Sequence, residues 1–280
     1  MNDLRSLGPR GLATYLKQHG ASASLDLDRI CAQKDAHTSL LYWFTDLDAA
    51  KAEARATRRP ILSLRLLGRL DEERTCANSR FFRKLLYPDA KVRSILGERF
   101  VLHWQSVRPV PILTLDFGDR RIEKTITGNS LHAVLDAEGR PVDALPGLFD
   151  PATFAGLLLE AHRTAMTPRA ELAKRHESLV RALPPAPARP PSRAERASVL
   201  AMSKHMVESP LLAQLRRVGE NLAADTAQNL AIHRRIHEAF AAGMEWSADA
   251  MVDWIYEELF LMPLHDPALG LDQPDPVFMP

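Results

Sequence analysis

An α/β fold followed by a small all-α region is what this sequence predicts, and three observations carry the prediction. Between residues 46 and 162, apolar runs of strand length alternate with segments of helical periodicity. At 184–191, five prolines in eight positions exclude helix and disfavour a central strand, so 183–193 reads as an extended linker with polyproline II character. Beyond it, 193–260 carries almost no strand signal and several helical ones.

The elements follow in order. Asp46 or Asp48 suits the start of a helix whose alanines, Ala49, Ala50, Ala52, Ala54 and Ala56, give it propensity up to Pro60. The branched apolar run 60–67 predicts a buried strand, and Phe81, Phe82, Leu85 and Leu86 place a helix over 79–86. A helix over 89–96 and a strand over 99–104 complete a βαβ unit, which requires parallel strands and a right-handed crossover. Two hairpins follow, 112–117 with 121–127 around Gly118-Asp119-Arg120, and 131–136 with 141–145 around Gly139. Asp150 is the expected N-cap of a helix running from Pro151 toward His162.

Composition narrows the function classes. The chain has 280 residues, with 36 Lys and Arg against 35 Asp and Glu, a balance that gives no electrostatic case for a nucleic-acid or membrane-surface partner. No apolar run approaches a bilayer-spanning length and the N-terminus carries no apolar h-region, so a cytoplasmic location is expected. Only Cys31 and Cys76 are present, which rules out a disulfide framework and a cysteine-rich metal motif; a disulfide between the two stays open.

Cys76 carries the chemistry. It lies in Thr75-Cys76-Ala77-Asn78-Ser79, a C-x-x-S motif at a strand-loop-helix junction, after the polar run 68–74 that reads as exposed loop. A cysteine at a helix N-terminus feels the positive end of the dipole, which favours thiolate. Arg74 and Arg80 flank it, while Glu72 and Glu73 work against them. The competing reading is an inert, buried, small apolar residue.

The order of motifs resembles a thioredoxin-like protein over about 41–161. Trp43-Phe44-Thr45-Asp46, the alanine-rich helix and Arg59-Pro60-Ile61-Leu62 are similar to the opening of such domains. Asp89 to Leu96 with Arg99-Phe100-Val101 resembles the second helix and strand, and Val134-Leu135-Asp136-Ala137-Glu138-Gly139-Arg140 the terminal hairpin. The resemblance implies a thioredoxin fold over 41–165 with an inserted hairpin. An N-terminal extension (1–40) precedes it; a helical segment (166–182), the linker, and an α-helical C-terminal domain with an extended tail (194–280) follow. It also implies that Cys76 is the attacking thiol. Ser79 stands where redox relatives place a resolving cysteine, so no disulfide can close within the motif, and Ser79 is left as a hydrogen-bond donor to sulfur. Asn129 and Ser130 occupy the substrate-docking edge, without the proline usual there.

In the helical region, His233 and His237 stand four apart, a spacing that can present two imidazoles to a metal. Both fall within the apolar stripe of 221–240, and His205, Glu208 and Asp225 have no diagnostic spacing as a third ligand. Packed, hydrogen-bonded histidines are the expectation, with these two as weak metal candidates and no cofactor. A second stripe, Met251, Trp254, Ile255 and Leu259 after Ser247, reads as bundle core, or as a lid or partner groove over the Cys76 face.

Three functions follow. The first is a thiol oxidoreductase acting through Cys76 by mixed-disulfide exchange with protein thiols or glutathione. The second is a redox-inactive binding or scaffold protein. The third is a metal-binding helical domain on an inert thioredoxin fold.

Overall fold

The seven residues of β1 (Ile61–Leu67) are all buried, and a strand enclosed on both faces must lie inside a sheet covered by helices on each side. The computed structural model, which describes residues 2–125, 128–183 and 215–269, places β1 in a four-stranded mixed sheet. The order is β2 (Val101–Arg108), β1, β5 (Ser130–Leu135), β6 (Pro141–Pro146). β1 runs parallel to β2 and antiparallel to β5, and β5 pairs antiparallel with β6. The short strands β3 (Ile112–Asp116) and β4 (Arg121–Thr125) form a separate antiparallel hairpin between β2 and β5.

Three short helices come first, α1 (Asn2–Ser6), α2 (Pro9–His19) and α3 (Leu25–Cys31). They enclose a small core of their own, with Leu12, Tyr15, Leu27, Ile30 and Cys31, so the N-terminal extension is folded. Arg5 fastens it to the rest by donating to the carbonyls of Ile30 (2.6 Å) and Trp43 (3.1 Å). α4 (Leu47–Thr57) starts at Asp46, whose carboxylate accepts from the Ala49 amide at 2.7 Å. It buries Ala50 and Ala54, one turn apart and small enough for close packing on the sheet.

After β1 come α5 (Ala77–Phe81), continued by a π-helical turn (Phe82–Leu86), and α6 (Ala90–Arg99) capped by Asp89. The helix expected over 79–86 thus starts two residues earlier. α7 (Pro151–Ala165), capped by Asp150, and α8 (Leu172–Ala182) close the first part. His132 on β5 shows which face these helices cover, since its ring lies against Phe82, Tyr87 and Phe154.

The proline segment and the tail from 270 lie outside the described residues. α9 (Leu215–Ala241) packs on α8 and on the edge strand β6; α10 (Ala248–Trp254) is capped by Ser247 and continued by a π-helical turn (Ile255–Leu259). Ile236, Phe240, Met251, Ile255 and Tyr256 belong to the same buried cluster as the sheet residues. The C-terminal helices therefore share the sheet's core. On the face away from His132, Arg65 of β1 donates to Ser63 (3.1 Å), to Gln105 (2.7 Å) and to Asp249 of α10 (2.9 Å).

Candidate functional site

β1 ends at Leu67, and Gly68 turns the chain in a left-handed conformation (φ 77°) that keeps its α-carbon hydrogen, not a side chain, against Thr75 and Val110. The loop then folds back on the strand: the Thr75 hydroxyl and the Cys76 amide both donate to the Leu67 carbonyl at 3.4 Å, and Arg80 donates to the Thr75 carbonyl at 3.0 Å. Cys76 thereby takes the N-cap position of α5, with extended backbone (φ −61°, ψ 156°) and no capping bond from its side chain. The sequence reading placed it at this junction. It also expected an exposed thiol, and that is corrected: Cys76 is 0% exposed. The polar loop does lie in solvent, with Glu72 and Arg74 outside, but Thr75 and Cys76 turn inward from it.

The segment 128–130 closes the site from the sheet side. Gly128 (φ 147°) approaches so closely that a Cβ there would overlap the Cys76 side chain and stand 3.7 Å from Sγ. Asn129 Oδ1 accepts from Asn78 Nδ2 at 2.9 Å and from the Ser130 amide at 3.0 Å. The structure thus brings the 128–130 segment, with the expected edge residues Asn129 and Ser130, against the Cys76 turn. It does not leave them open, since both are buried and the Asn129 carbonyl accepts from the Tyr256 hydroxyl at 2.8 Å. Tyr256 also reaches the Arg65 carbonyl at 3.4 Å.

Ser79 departs from its expected role. Its Oγ is buried and makes no hydrogen bond among the described residues, to sulfur or to any other atom. Of the flanking arginines, Arg74 pairs with Glu123 of the hairpin, and Arg80 donates to Thr125 Oγ1 at 3.2 Å. Around the thiol stand phenols held in the neutral form. Tyr87 and Tyr256 are both pushed well above the ordinary tyrosine value, by burial first and by the nearby Cys76 second. Beside the loop lies a cleft of about 400 Å³ lined by Glu73, Arg74, Arg80, Ile112, Glu123, Lys124 and Thr125.

Cys31 is buried in the N-terminal cluster, and no disulfide joins it to Cys76. Burial first, then Asp28, pushes its thiol up to about 12.

The second group of candidates lies at the other end of the sheet. His233 and His237 of α9 are buried and hydrogen-bonded, as expected of packed histidines. Their partners are residues the sequence reading missed. His233 Nε2 is 3.0 Å from Asp143 Oδ1 on β6, and His237 Nδ1 is 2.8 Å from His176 Nδ1 on α8. His205 and Glu208 lie outside the described residues, and Asp225 is not part of this cluster. One signal for Asp143 was available, a carboxylate in the apolar run Val142-Asp143-Ala144-Leu145; His176 offered none. Burial raises the Asp143 carboxyl, but His233 and His237 outweigh it and hold the group well below the usual carboxylate range. His237 and His176 are lowered, both chiefly by burial.

No helix among the described residues is long and apolar enough to cross a membrane. No family model, curated protein or solved structure matches this chain.

Proposed function

We propose that this chain is a thioredoxin-like binding or scaffold protein in which Cys76 is a structural residue. The carrying observation is the enclosure of Cys76, fully buried between Gly128 and the α5 turn, with the adjacent backbone edge occupied by Tyr256 of the same chain. A structural buried cysteine behaves as a small apolar residue, because thiol exchange needs an accessible thiolate and an in-line path to its sulfur. The thioredoxin-like part of the reading is supported by the strand order, by the helix that starts at Cys76 straight after the first strand, and by the terminal hairpin followed by α7.

The surface left for a partner is the β3–β4 hairpin. Leu113, Leu115 and Phe117 are exposed, and Leu115 pairs across the strands with Ile122, which gives the hairpin an apolar face. A two-stranded hairpin is marginal alone in water, and an extended protein segment laid along it would bury that face.

A second reading, mixed-disulfide exchange with protein thiols or glutathione, is favoured by the N-cap placement of Cys76 against the 128–130 backbone. It requires the Tyr256 contacts to open. One experiment separates the two: reaction of the native Cys31→Ser chain with an aromatic disulfide reagent. The binding reading expects no Cys76 adduct until the chain unfolds. Prompt adduct formation in the native state transfers the assignment to thiol exchange.

A further inference from the structure

Asp143 of the edge strand β6 and His233 and His237 of α9 bring their donor atoms together, and His176 of α8 places its Nδ1 2.8 Å from that of His237. We infer that these four side chains bind a single divalent metal ion of the zinc class, which clamps α8 and α9 onto β6. Zinc bonds to nitrogen and oxygen are about 2.0–2.2 Å long, so tetrahedral donors stand roughly 3.3 Å apart. The donor atoms of Asp143, His233 and His237 lie within 4.8 Å of one another, with Asp143 Oδ1 at 3.0 Å from His233 Nε2 and 3.6 Å from His237 Nδ1. The separations already bracket that spacing.

His176 stands outside that set of three, in contact with His237 alone among them, and joins it as the fourth donor when the ion draws the rings together. A carbonyl only accepts, so at 3.0 Å from the Val142 carbonyl, His176 Nε2 carries the ring proton. With the proton on Nε2, Nδ1 presents its lone pair toward His237, 2.8 Å away. A histidine whose far N–H is held by a backbone carbonyl and whose other nitrogen faces inward is arranged as a metal ligand. Two buried atoms of the cluster, Asp143 Oδ2 and His233 Nδ1, make no hydrogen bond among the described residues. The carboxylate oxygen is thus available to the same ion. Three imidazoles and one carboxylate suit zinc, with cobalt as its spectroscopic substitute, and full burial fits a closed structural site better than a catalytic one.

The full chain, stripped with a chelator, is titrated with Co²⁺. The expected result is a visible absorption of tetrahedral intensity that saturates at one ion per chain and is bleached by Zn²⁺. His237→Gln should weaken Zn²⁺ binding by at least about tenfold, and His176→Gln by about the same factor. Where either variant fails to fold, the unmodified chain still decides, because His19→Asn and His265→Asn, at exposed imidazoles, must leave the absorption unchanged. No saturable absorption in the unmodified chain, or one lost with His19 or His265, would overturn the site.

Discussion

The two ends of the sheet enclose their polar chemistry in opposite ways. At the Cys76 end the motif is local, Thr75 to Ser79, and what surrounds it comes from far away: Gly128 from the strand entry and Tyr256 from the last helical turn. At the β6 edge the chemistry itself is assembled from afar, residues 143, 176, 233 and 237, and no short stretch contains more than two of its members. A local motif reports which atoms are present and how the backbone aims them. Whether solvent reaches them is decided by segments that the motif does not contain.

The largest expected effect tests the tight approach at the Cys76 end. Gly128→Ala forces a Cβ into the Cys76 side chain at a backbone angle that L-residues rarely adopt, so it should cost about 3 kcal/mol or more in urea unfolding. Adding Cys76→Gly should return part of that loss. No recovery in the double variant would show that backbone strain, not the contact, dominates.

Acid comes next, and it weighs on the sheet between the two ends. Burial pushes His132 down to about 3, and burial followed by the Arg65 guanidinium does the same to His103. Free histidine titrates near 6.5, so between pH about 6.5 and 3 the unfolded chain binds more protons than the folded one. Stability from these two rings is fully present above pH about 6.5 and is lost progressively as pH falls toward 3. Urea midpoints measured from pH 7 down to 4 should fall steadily; a flat profile would mean that these rings protonate in the folded state.

Tyr256→Phe should cost about 1–2 kcal/mol, because it leaves the buried Asn129 carbonyl without the hydroxyl it now accepts from. It should also speed Cys76 alkylation in the Cys31→Ser background, which checks that the helical cover controls access. The smallest effect is expected from Arg74→Ala. Its pair with Glu123 is largely in solvent, so less than about 1 kcal/mol should be lost, with Cys76 reactivity unchanged.

Much of the framework was legible because its determinants are local. The caps at Asp150 and Ser247 each accept the expected amide, Asp46 starts the alanine-rich helix, the parallel β1–β2 pair lies where the βαβ pattern put it, and both hairpins form, the first over 112–116 and 121–125. The N-terminal helices escaped because each is short and its apolar residues meet only once the three have packed together, although Ser24, which accepts from the Leu27 amide, gave a local start signal. β2 extends to Arg108, beyond the expected end at Trp104, because pairing with β1 continues past the apolar stretch. The enclosure of Cys76 and the pairing of Asp143 with His233 and of His176 with His237 were not legible, since each depends on which distant element docks on which, and periodicity carries no such information.

The late position of Tyr256 has a consequence for biosynthesis. It leaves the ribosome 180 residues after Cys76. At a synthesis rate of roughly 5–20 residues per second, the thiol spends about 10–40 s on a nascent chain without its cover. Oxidation or adduct formation in that interval would place a bulky group where Gly128 and Tyr256 must later close, so the quality of each molecule is decided before its last helix exists.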